Sequence, residues 1–379
     1  MIDLLDECEK MLNGVKLLQE LSPRSLDQLV SYGERCSVRI MAARLNQLGV
    51  PAAAYDAWEI GMITDSNYGD AQIDPDTPAK ISNFFTNRID SSVTAIVTGF
   101  IGHDHDGRIT TLGRGGSDLT ATSIGAACKL DEIQVWKDVD GILTTDPRLV
   151  EGAIPVSAVT YDEASELAYF GAQVLHPIAM QPAMKTGTMV RVKNSYNPSA
   201  AGTTITAEKE NKGLVTAITF KRNVQLVDIV STRMLGAYGF LSQVFGAFEK
   251  HKVSVDVLAS SEVSVSVTLD TKSKIAKDAK ILEDLAPYAD LTIKNNRSIL
   301  TLIADVERSS EVLAQVFTSF AAAGIKVQML SQGASKVNIS FVVKDDDLDQ
   351  AVSTLHKCFF EGECAVVPSL ENETEEIVA

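Results

Sequence analysis

The stretch Thr-Leu-Gly-Arg-Gly-Gly-Ser-Asp at residues 111–118 (the Gly-rich turn) decides the fold of the first half of the chain. An apolar run at residues 93–100 precedes it and predicts a buried strand, whereas residues 119–130 suit a packed helix. We expect Ser117 or Asp118 to cap that helix. The turn therefore joins a strand to a helix.

A glycine-rich turn that leads into a helix favours an anion-binding site. Backbone N–H groups and the positive end of the helix dipole point at one place. Gly113, Gly115 and Gly116 have no Cβ atom, so a ligand could approach the backbone closely. Arg114 offers a planar fork that matches a carboxylate or a phosphate. The turn is neither a Rossmann fingerprint nor a Walker A sequence, and a plain β-to-α turn explains it about equally well.

Composition limits the classes of partner. The chain has 379 residues, which predicts two or three domains, and a net charge of -16. This acidity disfavours nucleic acid and anionic membrane surfaces as partners, and no apolar run reaches membrane-spanning length. The cysteines are odd in number and scattered, so we expect no disulfides, no zinc site and a reducing compartment. They are Cys8, Cys36, Cys128, Cys358 and Cys364.

Helices and strands are predicted to alternate up to residue 207. Residues 4–18 have one apolar helical face, which we expect in the core, and residues 25–48 form a second helix that ends at Gly49. Further strands are predicted at residues 52–57, 59–64, 133–136 and 190–193, and further helices at 78–89 and 161–170. Gly33, beside Glu34, would let another element come close. The alternation indicates an α/β layer fold with a mainly parallel sheet.

Three polar stretches allow more than one interpretation. His103 to Gly107 (His-Asp-His-Asp-Gly) could bind a metal, but an exposed hairpin tip is favoured because no further ligand has a recognisable spacing. Residues 137–148 (the 137–148 segment) could orient a hydrated magnesium ion and meet phosphates, or could form a solvated turn. His176, which precedes Pro177, is interpreted as a satisfied core or capping histidine.

An internal repeat follows a charged linker at residues 208–212. Val244 and Phe248 recur 72 residues later as Val316 and Phe320, and the alternating residues 265–269 recur at 337–341. Each copy is a helix, a strand and an alternating strand, which is half of a ferredoxin-like α+β module.

Taken together, these motifs resemble the aspartate kinases, and most closely the monofunctional plant type. The Gly-rich turn, the 137–148 segment, the sequence Phe-Gly-Ala-Gln-Val-Leu-His-Pro at residues 170–177 and the tandem repeat occur in the order seen in that family. The resemblance runs from the first helix to about residue 360. The N-terminal strand of the family, with its Lys-Phe-Gly-Gly sequence, is absent from this chain.

The resemblance implies an α/β amino-acid-kinase domain of the three-layer, carbamate-kinase-like type at residues 1–207. Two ferredoxin-like α+β ACT domains would follow at residues 213–295 and 296–370, with an acidic tail at 371–379. The opening strand of the first ACT domain could belong to the second.

The implied activity is phosphorylation of the side-chain carboxylate of L-aspartate by ATP with Mg²⁺, the first step toward lysine, threonine and methionine. Lysine would be the feedback effector, the ACT domains would pair in a homodimer, and a plant-type enzyme would lie in a plastid, otherwise in the cytoplasm. Because the Lys-Phe-Gly-Gly strand is absent, we expect this chain alone to turn over ATP slowly. The alternative is a catalytically impaired or regulatory lysine-binding subunit. A glutamate kinase is less favoured, since those enzymes lack paired ACT modules.

The resemblance also assigns roles to residues. Arg114 and Asp118 would be catalytic, with Arg114 clamping a substrate carboxylate and Glu34 meeting the substrate amino group. Phe100, Gly115 and Ser117 would complete the substrate site. The nucleotide residues would be Lys137, Asp138, Leu143, Asp146, Arg148 and Gln173. Leu143 replaces an aromatic residue of many relatives, and Gln173 replaces a lysine. No residue is assigned as a metal ligand.

The implied effector site lies in the first ACT domain. Asp256 and Glu262 would pair with the ammonium groups of lysine, although from the residues alone Asp256 is a solvated strand end. The second copy has Gln328 and Ala334 at the equivalent positions and should not hold lysine in the same way. The remaining effector residues would be Met234, Ala237, Gly239, Phe240, Leu241, Val255 and Ser261.

Overall fold

The computed structural model describes residues 1–170, 175–209, 213–231, 238–269, 274–276, 279–333 and 335–364. These residues form two compact units. The first comprises residues 1–142, 157–169 and 173–209, and the second comprises residues 143–156, 170–172 and 210–379, each as far as the described ranges extend. The segment 143–156 therefore packs with the second unit, although it precedes residue 207 in the chain.

The helices of the first unit follow the apolar periodicity of the sequence. The second helix begins where the Ser22 Oγ accepts a hydrogen bond from the Ser25 N–H (3.2 Å), with Pro23 in the first turn, and Gly49 follows its end at φ +81°. The helices are α1 (Ile2–Leu18), α2 (Pro23–Gln47), α3 (Thr77–Asn87), α4 (Gly116–Ala127), α5 (Tyr161–Tyr169) and α6 (Pro177–Thr186).

The strands of the first unit are mainly parallel, as predicted. They are β1 (Ala52–Tyr55), β2 (Thr94–Val97), β3 (Ile101–His103), β4 (Ile109–Thr111), β5 (Glu132–Lys137), β6 (Ala158–Thr160), β7 (Met189–Asn194) and β8 (Thr203–Thr206). β1 pairs with β2 in parallel, and the sheet β5-β7-β8-β6 contains the parallel pairs β5–β7 and β6–β8. β3 and β4 form an antiparallel hairpin.

Several predictions for this unit are wrong in detail. Residues 59–61 form a turn, in which Gly61 adopts φ +97°, and Ile63 and Thr64 make only isolated β-bridges, to His103 and Ile73, in place of the predicted strand. The apolar face of α1 is largely exposed: Leu4 is buried, but Leu5 and Leu12 are not, since α1 packs mainly against α2. The strand predicted at 93–100 is shorter and only partly buried.

The second unit contains one six-stranded sheet in the order β10-β11-β9-β12-β14-β13. Its strands are β9 (Val215–Val230), β10 (Leu258–Ser260), β11 (Ser264–Leu269), β12 (Asp290–Ala304), β13 (Met329–Gln332) and β14 (Asn338–Lys344). Its helices are α7 (Phe240–Lys250), α8 (Lys280–Leu285), α9 (Ser309–Ala323) and α10 (Leu348–Phe360). The predicted repeat is confirmed, because α7-β10-β11 recurs as α9-β13-β14.

Each copy of the repeat has its own core. Val244 and Phe248 of α7 are buried against β9 and β11, and Val316 and Phe320 of α9 are buried against β12 and β14. The long strand β9 serves both copies. Its residues 224–230 pair with β11 and the start of β12, whereas residues 215–221 pair with residues 299–304 of β12, beside β14. The start of β9, residues 215–221, therefore pairs with the strand of the second copy, and its end pairs with strands of the first.

The expectation of no disulfide is wrong for one pair of cysteines. Cys358 and Cys364 are joined, with their Cα atoms 4.0 Å apart. Their spacing is not that of a CxxC motif, but α10 ends at Phe360 and Gly362, at φ +78°, turns the chain back toward the helix. No helix among the described residues is long and apolar enough to cross a membrane.

Candidate active site

The Gly-rich turn connects β4 to α4 through two left-handed glycines. Gly113 has φ +70° and Gly115 has φ +77°, and α4 begins at Gly116. The N-cap is therefore Gly115, which corrects the prediction of Ser117 or Asp118. The left-handed Gly115 starts the helix early, so Ser117 and Asp118 lie in its first turn. The N–H groups of that turn point out of the helix end, where an anion would bind.

The space left by the missing Cβ atoms is filled by protein, which corrects the expectation that a ligand approaches there. A Cβ on Gly115 would lie 2.6 Å from the Cβ of His176, and one on Gly116 would lie 2.8 Å from Cδ2 of Phe100. A Cβ on Gly113 would lie 2.6 Å from Oδ1 of Asp70. The glycines thus let neighbouring segments hold the turn in one shape. By contrast, nothing lies within 4 Å of a Cβ on Gly33, so the expected close approach there is not found among the described residues.

Phe100 has an unusual backbone. Its φ of +71° is a left-handed value, which costs a residue with a side chain about 1–2 kcal/mol. Its N–H donates to Oγ1 of Thr120 (3.1 Å) and its carbonyl accepts from the N–H of Leu112 (2.9 Å). These bonds tie the connection between β2 and β3 to the Gly-rich turn and to α4. Strain that is held in this way is common at functional sites.

Asp27, on α2, supports the Gly-rich turn. The sequence analysis did not identify this residue. Its side chain is buried, and Oδ2 accepts from the N–H groups of Thr111 (2.9 Å) and Gly69 (3.0 Å). Oδ1 accepts from the Thr111 hydroxyl (2.9 Å). Asp27 and Thr111 are 84 residues apart in the chain, so no local pattern could have linked them.

Glu34 lies two turns along α2 from Asp27 and has no hydrogen bond or ion pair among the described residues. Burial raises the pKa of its carboxyl above the ordinary value. The next residue, Arg35, is bound to the buried Asp56 (Nε to Oδ2, 3.2 Å) and lies over the ring of Trp58. Arg35 is thus structural, whereas Glu34 is a half-buried carboxylate suited to an external cation.

Two predicted site residues from different motifs meet at the start of α4. Nζ of Lys137, at the end of β5, lies 3.4 Å from Oδ2 of Asp118 in the first turn of α4. Arg114 and Ser117, which precede Asp118 in the Gly-rich turn, are exposed, and Arg114 has no ion pair within the described ranges. The helix end, Arg114 and Lys137 therefore concentrate positive charge at one place in an acidic protein.

His176 caps α6 and packs against Gly115. The predicted capping position is confirmed, but its side chain makes no capping hydrogen bond, and its buried Nδ1 has no partner among the described residues. Its main-chain carbonyl accepts from the N–H of Ala179 (2.9 Å), whose own carbonyl accepts from the hydroxyl of Thr122 on α4 (2.5 Å). The start of α6 is thereby fixed to α4.

The 137–148 segment is divided between the two units. In the first unit, Asp138 is exposed, and Oδ1 of Asp140 accepts from the side-chain amides of Asn194 (2.7 Å) and Asn197 (3.1 Å). In the second unit, the Arg148 guanidinium binds both carboxylate oxygens of Asp146 and lowers the pKa of that carboxyl. Leu143 also lies in the second unit, and Gln173 lies outside the described residues.

The His103 to Gly107 stretch forms the predicted hairpin tip, with Gly107 at φ +76°. Asp104 is buried and accepts from the N–H groups of Asp106 (3.0 Å) and Arg108 (2.9 Å), while His105 pairs with Asp74 (2.9 Å). No cluster of three or more His, Cys, Asp or Glu side chains suited to a metal occurs in the part of the chain that the structure describes.

The chain is similar to known proteins over most of its length. The model of the Amino acid kinase family matches residues 4–194, and a model of the ACT domain matches residues 304–359. The chain is 50% identical to Aspartokinase 3, chloroplastic, of Arabidopsis thaliana, over 94% of this chain and 66% of that protein. It is 35% identical to Lysine-sensitive aspartokinase 3 of Escherichia coli (strain K12), over 94% of this chain and 81% of that protein. The chain belongs to the aspartokinase family.

Solved aspartokinases share the fold. The structure of E. coli aspartokinase III in complex with lysine and aspartate has a TM-score of 0.78 at 33% identity and covers 94% of this chain and 81% of that one. The complex of the same enzyme with aspartate and ADP has a TM-score of 0.73 at 34% identity, with the same coverage. The chain thus has the amino-acid-kinase fold followed by ACT domains. It spans about two thirds of the length of the Arabidopsis aspartokinases it matches.

The effector residues expected from the aspartokinase family lie in the second unit. Asp256 is not a solvated strand end: its side chain is 5% exposed, and Oδ2 lies 2.7 Å from Nζ of Lys221. Ser261 and Glu262 are exposed in the turn between β10 and β11. Gly239 is the N-cap of α7, Phe240 is buried, Leu241 is exposed and Val255 packs against the core of the first repeat. Met234 and Ala237 lie outside the described residues.

The second ACT copy differs from the first at this place. Oε1 of Gln328 accepts from Nε of Arg297 (2.6 Å), so a neutral amide meets a guanidinium where the first copy pairs Asp256 with Lys221. Ala334 lies outside the described residues. The two copies therefore differ in charge at equivalent positions.

Proposed function

We propose that this chain catalyses the aspartokinase reaction. In this reaction the γ-phosphoryl group of ATP is transferred to the side-chain carboxylate of L-aspartate to give 4-phospho-L-aspartate. The observation that carries the proposal is the contact between Lys137 and Asp118 at the start of α4, beside the exposed Arg114. The reaction would be the first step toward lysine, threonine and methionine, and the names of the Arabidopsis relatives support a plastid location.

The chemistry explains why this site needs cations and not a base. The side-chain carboxylate of aspartate is ionised at pH 7, with an ordinary pKa of about 3.9. Catalysis therefore consists of bringing two anions into line and stabilising the charge that develops on the transferred group. The N–H groups of the first turn of α4, together with Arg114 and Lys137, would supply this stabilisation.

Each side chain then has a separate task. Arg114 would bind the α-carboxylate of aspartate through its planar guanidinium group. Glu34 would accept hydrogen bonds from the ammonium group of aspartate. Lys137 would contact the nucleotide phosphates. Asp118 would orient the Lys137 side chain toward them. Phe100, Gly115 and Ser117 would line the substrate side, while Asp138, Leu143, Asp146, Arg148 and Gln173 would line the nucleotide side.

Magnesium would come with the nucleotide. Without a cage of carboxylates among the described residues, the ion would be held mainly by phosphate oxygens and water, with one or two carboxylates at most, which is how Mg²⁺ commonly binds. The ion would neutralise phosphate charge. Asp118 and Asp138 would be the candidates for such carboxylates.

Lysine would regulate the enzyme through the first ACT copy. The exposed Glu262 would bind one ammonium group and Asp256 the other, in exchange for its present partner Lys221, whereas Gln328 in the second copy offers no carboxylate. We assign residues 1–207 to the kinase domain, 213–295 and 296–370 to the two ACT domains and 371–379 to a tail. Pairing of the ACT domains would give a homodimer.

The test is an assay of ADP release by the complete natural protein, with L-aspartate, L-glutamate or no amino acid. We expect release that depends on aspartate, at least ten times faster than with glutamate, and that lysine suppresses. Equal rates of ADP release with aspartate and glutamate would show that the protein is a kinase of different specificity. Tight lysine binding without any turnover would replace it with a regulatory protein.

A further inference from the structure

The end of α10 carries a pair of cysteines that the proposed reaction does not use. Cys358 is buried in the last turn of the helix, and Cys364 is half-buried after the chain has turned back through Gly362. The N–H groups of Glu361 and Glu363 both donate to the carbonyl of Lys357, at 3.1 and 3.0 Å. The disulfide thus closes a short ring around the end of the helix, with Glu361 inside it.

Glu361 begins a chain of contacts that leads into the 137–148 segment. Its Oε1 lies 2.9 Å from Nδ1 of His356, and Nε2 of the fully buried His356 lies 3.0 Å from Oγ1 of Thr144. The Thr144 hydroxyl also accepts from the N–H of Ile154 (3.1 Å). All of these residues belong to the second unit. Thr144 is 212 residues from His356 in sequence and two residues before Asp146.

The segment 143–156 also lies close to the Glu361 carboxylate at Gly152. A Cβ on Gly152 would lie 3.2 Å from Oε1 of Glu361 and 3.9 Å from Cε1 of His356. The segment is therefore in contact with the end of α10 through both Thr144 and Gly152. A shift of Glu361 changes the surroundings of both residues.

We propose that Cys358 and Cys364 form a thiol–disulfide exchange site, whose state is transmitted through Glu361 and His356 to Thr144 and so to the affinity for the nucleotide. This inference rests on the proposed function, since it gives the 137–148 segment a role in ATP binding. The reaction partner is a dithiol reductant.

A thiolate of the dithiol attacks Sγ of Cys364, which is the more accessible sulfur, and forms a mixed disulfide while Cys358 leaves as a thiolate. The second thiol of the reductant attacks the mixed disulfide and frees Cys364. The dithiol becomes a disulfide, and the protein gains two electrons and two protons as two thiols.

The surroundings also accommodate the reduced pair. Oε1 of Gln315, on α9, lies 3.8 Å from Sγ of Cys358 and 3.6 Å from Sγ of Cys364, and the Cys358 carbonyl lies 3.2 Å from Sγ of Cys364. These oxygens can accept from S–H groups, which only the reduced form has. Reduction opens the ring and releases the turn that carries Glu361, without leaving the thiols unpaired.

The test uses the complete natural protein, oxidised or treated with a dithiol. Reduction should raise the KM for ATP about five-fold or more, the lower end of typical coupling between sites, and leave kcat nearly unchanged. Cys364→Ser should have the raised KM for ATP of the reduced wild type both with and without the dithiol. Cys36 is a free cysteine in the first unit, and Cys36→Ser should respond to the dithiol like the wild type. Alkylation followed by mass measurement should count two more reactive thiols after reduction.

A second variant tests the transmission itself. Glu361→Ala should keep the disulfide, as counted by alkylation, yet show the high KM for ATP when oxidised. An unchanged KM in Cys364→Ser or in the reduced wild type, with aspartate-dependent turnover intact, would overturn the inference alone. Absence of aspartate-dependent turnover in both redox states would overturn the proposed function instead.

Discussion

Asp27 and Glu34 are two carboxylates on one helix that have opposite surroundings. Asp27 is buried and accepts three hydrogen bonds, whereas Glu34 is half-buried and has no partner among the described residues. The first is therefore a structural group, and its removal should affect folding. The second is held at a cost to stability, which is typical of a residue kept for a ligand.

Glu34→Gln should raise the KM for aspartate about ten- to hundred-fold, because a hydrogen bond to a charged group contributes about 1.5–3 kcal/mol. Steady-state kinetics measure this effect. Glu20→Gln, an exposed change just before α2, is the control and should behave as the wild type. Equal KM values in all three proteins would remove Glu34 from the substrate site.

The same variant should respond to pH in a defined direction. Burial raises the pKa of Glu34, so the folded state binds the proton more tightly than the unfolded state, and this contribution to stability is lost as the pH rises through the raised pKa. Glu34→Gln stays neutral at every pH. It should match the wild type in unfolding free energy below pH 4.5 and exceed it at neutral pH. Urea unfolding at the two pH values measures the difference, and the reverse order would contradict the account.

Asp27→Asn should destabilise the first unit by about 1.5–3 kcal/mol, because the amide cannot accept from all three donors around it. Urea unfolding measures the change. Asp131→Asn, an exposed change after α4, should have almost no effect. An unfolding free energy of Asp27→Asn within 0.5 kcal/mol of the wild type, as is usual at the surface, would show that the bonds to Thr111 and Gly69 are not needed.

At the scale of elements, the Gly-rich turn is shaped by its neighbours as much as by its own sequence. Gly115 and Gly107 have nearly the same φ, +77° and +76°, but only Gly115 has a side chain, that of His176, where its Cβ would lie. The pair therefore separates the effect of backbone strain from that of packing.

Gly107→Ala should cost about 1–2 kcal/mol, from the left-handed backbone alone. Gly115→Ala should cost about 1–3 kcal/mol more, because the added methyl group overpacks against His176, and it should also weaken aspartate binding. Unfolding free energies and the KM for aspartate measure both effects. Similar values for the two variants would contradict the packing around Gly115.

The sequence predicted elements well and contacts poorly. Periodicity and turn residues located α2, α4 and the repeat, because those signals lie within a few residues of one another. The sequence did not identify Gly115 as the N-cap of α4. The position of the N-cap depends on the left-handed backbone of Gly115, which cannot be inferred from the presence of Ser117. The sequence also missed Asp27 with Thr111 and His356 with Thr144, because residues that are far apart in the chain leave no local pattern.

At the scale of the whole molecule, the tandem repeat has diverged in charge. The first copy pairs Asp256 with Lys221, and Glu262 is exposed without a partner among the described residues, whereas the second copy pairs Gln328 with Arg297. The first copy thus has two carboxylates at this place, one of them paired with a lysine, and the second copy has none. This asymmetry supports one lysine site in each chain.

Glu262→Gln should raise the lysine concentration for half-maximal inhibition about ten-fold, since it removes one charged partner of the effector. No internal contact of the described residues is lost, so the KM for aspartate without lysine should not change. Inhibition curves measure the shift, with Glu249→Gln on the exposed face of α7 as the control. Identical curves for all three proteins would move the effector away from the turn between β10 and β11.

In the proposed mechanism, Arg114, the start of α4 and Lys137 together hold two anions for reaction. The most direct measurement is kcat/KM for aspartate in the complete natural protein and in Arg114→Lys, which keeps the charge but loses the planar fork. We predict a fall of about hundred-fold or more, the effect of losing one preorganised donor. Arg148→Lys serves as a comparison, because it should change the KM for ATP and not that for aspartate. An Arg114→Lys enzyme with wild-type kcat/KM for aspartate would contradict the account.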